Sequence, residues 1–138
     1  MNKLINGGLV EIVVSSIKEN EDYIIELNKR QLIIGKRSDG IDLGEYSPRS
    51  LAIKAENGRP SISGNKISLH DTGDFWKGFF VNVDNDFIEV LSKDSKANML
   101  IYDWTDKIFG LSDESIRLFQ DRVAPIIQDK IMKFIIGT

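Results

Sequence analysis

The stretch from residue 67 to 92 limits this chain more than any other, because it reads as a tight polar turn followed directly by a β-hairpin. Asp71-Thr72-Gly73-Asp74 sits between two apolar runs within residues 67–80, with Phe75, Trp76 and Phe79 placed to anchor the turn. Phe79–Val83 and residues 87–92 are β-type runs around Asp84-Asn85-Asp86. Asn and Asp tolerate the left-handed conformations that such a reversal needs. A calcium loop is not expected there, since neither the glycine nor the closing glutamate of that pattern stands at the required offset.

Both ends of the chain read as helix. Val10, Val13, Val14, Ile17, Ile24, Leu27 and Leu32 fall on one stripe, which predicts a helix over residues 9–34 after a flexible Asn6-Gly7-Gly8 opening. A strand over residues 9–15 competes with it, but no turn signal closes such a strand. Glu21, Asn28 and Gln31 lie on or near the stripe, which predicts a helix only partly buried by its own domain. Gly35 is placed to end it. Residues 35–66 are punctuated by Gly and Pro, so they read as an extended connecting arm with helix-compatible character only over residues 50–56. The order of residues 99–109 is left open between a short helix and a packed loop. Ser112-Asp113-Glu114 then opens a C-terminal helix over 112–135: Ser112 can cap, and the two carboxylates suit the helix dipole. Pro125 predicts a kink or break in it.

Composition removes several function classes. The chain has 138 residues, no Cys and a single His, His70, so disulfides, thiolate sites and histidine clusters have no ligands; no metal or cofactor is expected. A length of 138 residues suits one domain with a core of its own. Neither half is basic enough for a nucleic-acid footprint. The aromatic cluster at Phe75, Trp76, Phe79 and Phe80 is read as core rather than as a base-stacking surface, and no sequence-specific nucleic acid is expected as a partner. No spanning segment and no signal-peptide pattern is legible, so a soluble protein folded inside a cell is expected.

Asp71-Thr72-Gly73 is also the tripeptide of retroviral-type aspartic proteases, in which paired carboxylates share a proton and activate water. Asp71 would be the catalytic residue, and Ile135-Ile136-Gly137 loosely resembles a later motif of that family. Those proteases are nearly all β, whereas here both ends read as helix. His70 beside Asp71 invites a general-base reading, but no nucleophile partner is identifiable, and a surface or turn histidine is expected. The structural reading is a turn in which Asp71 or Thr72 caps a short helix and Gly73 supplies an unusual backbone angle.

Taken in order, Leu27-Asn28-x-x-Gln31-Leu32, Gly44-x-Tyr46-Ser47, Ala52-x-Lys54, Leu69-x-Asp71-Thr72-Gly73-Asp74-Phe75 with Lys77-Gly78-Phe79, and Ile108-Phe109-Gly110-Leu111-Ser112-Asp113-Glu114 resemble phage virion-morphogenesis and tail-completion proteins. The resemblance runs from about Glu21 to Lys133 and departs from the family pattern over residues 104–107. It implies an α+β fold: a small antiparallel sheet with a long β-hairpin, packed by N-terminal and C-terminal helices. It also implies a non-catalytic component of the head–tail neck or tail, acting as connector, terminator or completion protein and assembled as a homo-oligomeric ring with other virion proteins. Its location would be the virion, after assembly in the bacterial cytoplasm, with no membrane partner. Leu69, Asp71, Thr72, Gly73, Asp74, Phe75, Gly110, Leu111 and Ser112 form the structural motif. Lys36, Arg37, Tyr46, Arg49, Arg59, Asp84, Asn85 and Asp86 are the candidate subunit contacts, on the arm and at the hairpin tip. A plain binding module of the same fold is a third reading.

Asp71→Asn separates these readings. A turn residue predicts a lower melting temperature with no effect on peptide cleavage, whereas a catalytic carboxylate predicts peptidase activity in the parent chain that the substitution abolishes.

Overall fold

The computed structural model describes residues 2–70, 73–84 and 87–137. The fold is α+β: six α-helices and one two-stranded antiparallel sheet. Helix α1 spans Asn2–Glu19, α2 Glu21–Ile33, α3 Pro48–Glu56, α4 Asp74–Lys77, α5 Ala97–Trp104 and α6 Asp113–Ile136. Strands β1 (Phe79–Val83) and β2 (Ile88–Ser92) pair from Phe79 opposite Ser92 to Val83 opposite Ile88. A single 3-10 turn at Asp106–Ile108 joins α5 to α6.

The expected helix over 9–34 is two helices. Asn20 divides them: its side-chain amide donates to the Ser16 carbonyl at 2.8 Å, and its own carbonyl accepts from Tyr23 N–H. Lys18 closes α1 with positive charge while Glu21 and Asp22 open α2 with negative charge, each matching its helix dipole. The break lets α1 pack on α6 while α2 packs on both β1 and α6. Helix α1 also starts at Asn2 and runs through Gly7 and Gly8, where a coil was expected. Glycine weakens a helix by about 1 kcal/mol, but Gly8 lies under the ring of Phe134, so a Cβ there would come within 2.5 Å of it. Packing against α6 overrides propensity at this point.

The core gathers Ile24, Leu27 and Leu32 from α2, Phe75 and Trp76 from α4, Phe79 and Val90 from the hairpin, Ile108 and Phe109, and Phe119 and Val123 from α6. Phe75, Phe79 and Phe109 meet as a triangle of rings with centroids 5.0 to 5.8 Å apart. Truncating one such ring to Ala costs roughly 3–5 kcal/mol in a packed core.

Asn28 and Gln31 are where the structure differs most from the sequence reading. They are buried, at 0% and 5% exposure, instead of marking an uncovered face. Asn28 Nδ2 donates to the Ile108 carbonyl at 3.1 Å, and its Oδ1 accepts from Gly110 N–H at 2.7 Å. Gln31 Nε2 donates to the Gly110 carbonyl and its Oε1 accepts from Ser112 N–H, both at 2.8 Å. Two amide side chains therefore serve as backbone partners for a segment with no strand to pair with. Gly110 has φ +98, a left-handed angle that lets its N–H and C=O face the two side chains in turn.

Helix α6 opens as expected, with Ser112 Oγ accepting from Ser115 N–H at 3.3 Å. It does not break at Pro125: the helix is continuous to Ile136. Pro125 and Asp121 are both on the exposed face, where water can bond the Asp121 carbonyl that loses its helical donor.

Asn28→Ala or Gln31→Ala should each destabilise the fold by about 2–3 kcal/mol, because each leaves a backbone donor and acceptor buried without partners. The double variant should cost less than the sum, since the first substitution already loosens the shared segment. Urea unfolding of the four chains measures both effects.

Candidate functional site

The root of the hairpin is built from strained backbone held by packing. Leu69 has φ +61, a left-handed angle for a branched residue, and Thr105 has φ +74 with ψ +166. Such residues cost of order 1–3 kcal/mol each and persist only where their surroundings impose them. Leu69 is fixed between Ser68, whose carbonyl accepts the Trp76 indole N–H at 3.2 Å, and His70, whose carbonyl accepts from Lys54 Nζ at 3.3 Å. Gly73, with φ +91, stands at the N-cap of α4; Asp71 and Thr72, expected to cap that helix, lie outside the described residues. Of the rest of the motif, Phe75 is buried, Asp74 is exposed, and Leu111 is half-buried against the core.

These residues enclose a cavity of about 310 Å³ lined by Tyr46, Leu69, His70, Met99, Leu100 and Trp104 among others. Lys96 lines it too, Lys54 sits over the Tyr46 ring at 5.1 Å, and the Lys77 chain passes 3.8 Å from where a Gly73 Cβ would stand. His70, expected at the surface or in a turn, is half-buried. Its ring stands edge-on to Trp76 at 4.9 Å, and its Nδ1, like Ser68 Oγ, is buried without a hydrogen-bond partner among the described residues. A larger apolar groove of about 470 Å³ runs between α1, α2, β2 and α6 past Ile17, Ile88, Leu111, Ile116 and Ile127.

The arm is not an extended free segment. Its root folds back on the body: Leu43 N–H donates to the Gly35 carbonyl at 2.7 Å and Ser38 N–H to the Lys107 carbonyl at 2.8 Å. Lys36 and Arg37, two of the candidate contacts, act inside this root. Lys36 pairs with Asp42 at 2.7 Å and Arg37 forks onto Asp39. Both carboxyls are held below the usual carboxylate range, Asp39 chiefly by its hydrogen bond from Arg37 and Asp42 by its bond from Lys36. Stabilisation from a depressed carboxylate is complete above its unfolded value and fades as pH falls through the folded one, so acid loosens the arm root.

Farther along, the Glu45–Lys66 bridge, with Tyr46 N–H on the Asn65 carbonyl and Ile67 N–H on the Gly44 carbonyl, brings the two ends of the arm's outer part together. What remains outside is a closed loop carrying α3, and α3 buries no residue. Arg49 and Arg59 are exposed on that loop, and Asp84 is exposed at the hairpin tip; Asn85 and Asp86 lie outside the described residues. Among the described residues no group of three or more His, Cys, Asp or Glu is placed to hold a metal ion, and no helix is long and apolar enough to cross a membrane. No family model, curated protein or solved structure matches the chain.

The sequence motif therefore marks one wall of a real cavity, while the arm and α5 supply the others. Tyr46, expected as a subunit contact, is one of the cavity's lining residues. His70 and Trp104 were not legible as cavity residues, because nothing in their spacing shows that α5 folds back over the hairpin root.

Because residues 45 and 66 are already bridged, replacing residues 47–64 with a two-residue turn should leave a cooperatively folded protein with its melting temperature lowered by only a few degrees. Removing the root as well, residues 36–64, should unfold the chain by taking out buried Leu43. Thermal melts by circular dichroism test the pair.

Proposed function

We propose that this chain is a non-catalytic virion-morphogenesis protein of a tailed phage or prophage, acting at the head–tail neck or tail end as a subunit of a ring. The observation that carries the reading is the docking of two of its family-like motifs. Leu27-Asn28-x-x-Gln31-Leu32 and Ile108-Phe109-Gly110-Leu111-Ser112 lie some eighty residues apart in sequence, yet their polar members bond to each other. Motifs that interlock in space are a coherent unit, which scattered chance matches are not. The α+β architecture with a hairpin and flanking helices is the one the resemblance implies.

The surfaces fit a role in assembly better than one in chemistry. An outer loop with α3 projects without contributing a buried side chain, and large apolar residues stand exposed at the hairpin tip, on α5 and on the last turns of α6. Patches of that kind mark contacts with other chains more often than they mark reaction sites. Function in this reading is shape and charge complementarity between subunits, with no step of bond making.

Mass measurement in solution together with negative-stain imaging should find closed rings, alone or upon mixing with the products of its neighbouring genes. The chain without residues 47–64 should remain folded and fail to assemble. Persistent monomers in the presence of those neighbours would overturn the reading, as would unchanged rings after the loop is removed, for the role given to that loop.

A further inference from the structure

The hairpin carries two unlike ends. At the root, the cavity of about 310 Å³ is apolar and aromatic inside, and Lys54, Lys77 and Lys96 stand around its mouth. Its size is at the lower limit for a small-molecule pocket, roughly 300–1,000 Å³, which suits a single inserted side chain. At the tip, Phe87 is 50% exposed and Ile88 46% exposed, and the exposed carboxylates Asp84 and Glu89 flank them in the hairpin.

We infer that the hairpin tip of a second copy of this chain docks into the hairpin-root cavity of the first, Phe87 entering between Trp104, Tyr46 and Met99 while Asp84 and Glu89 meet Lys96, Lys54 and Lys77. The inference rests on the assembly reading above and names the contact that would build the ring.

Three observations select this occupant. The charges are complementary: a cationic mouth faces an acidic tip, and like-signed pairing of two roots or two tips would be repulsive. An aromatic anchor enters an aromatic-lined pocket, the arrangement that concentrates binding energy at interfaces. The two patches also cannot satisfy each other within one chain, because five-residue strands hold tip and root roughly 16 Å apart. Unlike patches at opposite ends of one rigid element make a head-to-tail contact, which closes into a ring when the rotation between copies allows. Asp74 and Asp94 lie along the same stretch of chain as the lysines, with Asp94 accepting from the backbone N–H of Lys96, so the mouth is cationic but not uniformly so.

The absence of cysteine makes the test direct. Phe87→Cys and Met99→Cys chains, mixed and oxidised, should form a cross-linked dimer in much higher yield than Phe87→Cys mixed with Met132→Cys, an exposed position on α6. Phe87→Glu should weaken self-association by roughly tenfold or more. Lys96→Glu should weaken it as well, and Glu89→Lys should restore part of what Lys96→Glu removes. Circular dichroism melts unchanged by Phe87→Glu exclude misfolding as the cause, since that side chain already faces solvent. Rings that survive Phe87→Glu, with no preferred cross-link, overturn this contact and leave the assembly reading standing. A chain that is monomeric at every concentration and forms no cross-link overturns the contact, and mixing with the products of its neighbouring genes then decides the assembly reading separately.

Discussion

The fold depends on two amide side chains that treat a loop as though it were a strand. Residues 108–112 cross the interior with backbone groups that neither α5 nor α6 can satisfy. Asn28 and Gln31, one turn apart on α2, present four hydrogen-bonding atoms at the spacing of that backbone. Each bond in isolation contributes about 1 kcal/mol, but failing to make it leaves a buried polar group that costs more. The effect is as much specificity as strength. Because only one register of 108–112 fits the two amides, the start of α6 is fixed, and with it the way Phe119 and Val123 meet the core beside α2.

From that fixed point the hairpin is held from below. Phe109 closes the ring triangle with Phe75 and Phe79, and Ser92 Oγ donates to the Phe75 carbonyl at 2.8 Å, tying the return strand to α4. A two-stranded sheet alone is marginal in water. Here one end of it is built into the core and the other projects.

What the sequence disclosed follows from how local each signal is. The hairpin, the Ser112 cap and the apolar stripe of α6 are set by residues within a turn or two of one another, and they stand where they were expected. The α1–α2 division was legible in principle: Asn20 followed by Glu21-Asp22 is how a helix begins. The apolar stripe hides it, because the periodicity continues across the break. Asn28 and Gln31 could be seen as anomalies on a buried face, but their partners lie some eighty residues away, and no local pattern names a long-range backbone partner. The left-handed Leu69 is equally silent, since nothing about leucine announces φ +61. It is imposed by contacts that Trp76 and Lys54 make on either side.

The arm shows how one segment can be divided between stability and recognition. Its root is dense in internal bonds and carries two ion pairs, so its charges are paired with one another: Lys36 and Arg37 are engaged before any partner arrives. Beyond the Glu45–Lys66 bridge the balance reverses, and α3 is capped by Ser47 and started by Pro48 yet buries nothing. A short helix of nine residues is marginal unless something covers it. The bridge reduces the entropy of the loop that carries it, and Lys54, reaching from α3 to His70 and Tyr46, ties it to the cavity wall. A contact formed on α3 would thus be felt at the hairpin root through Lys54.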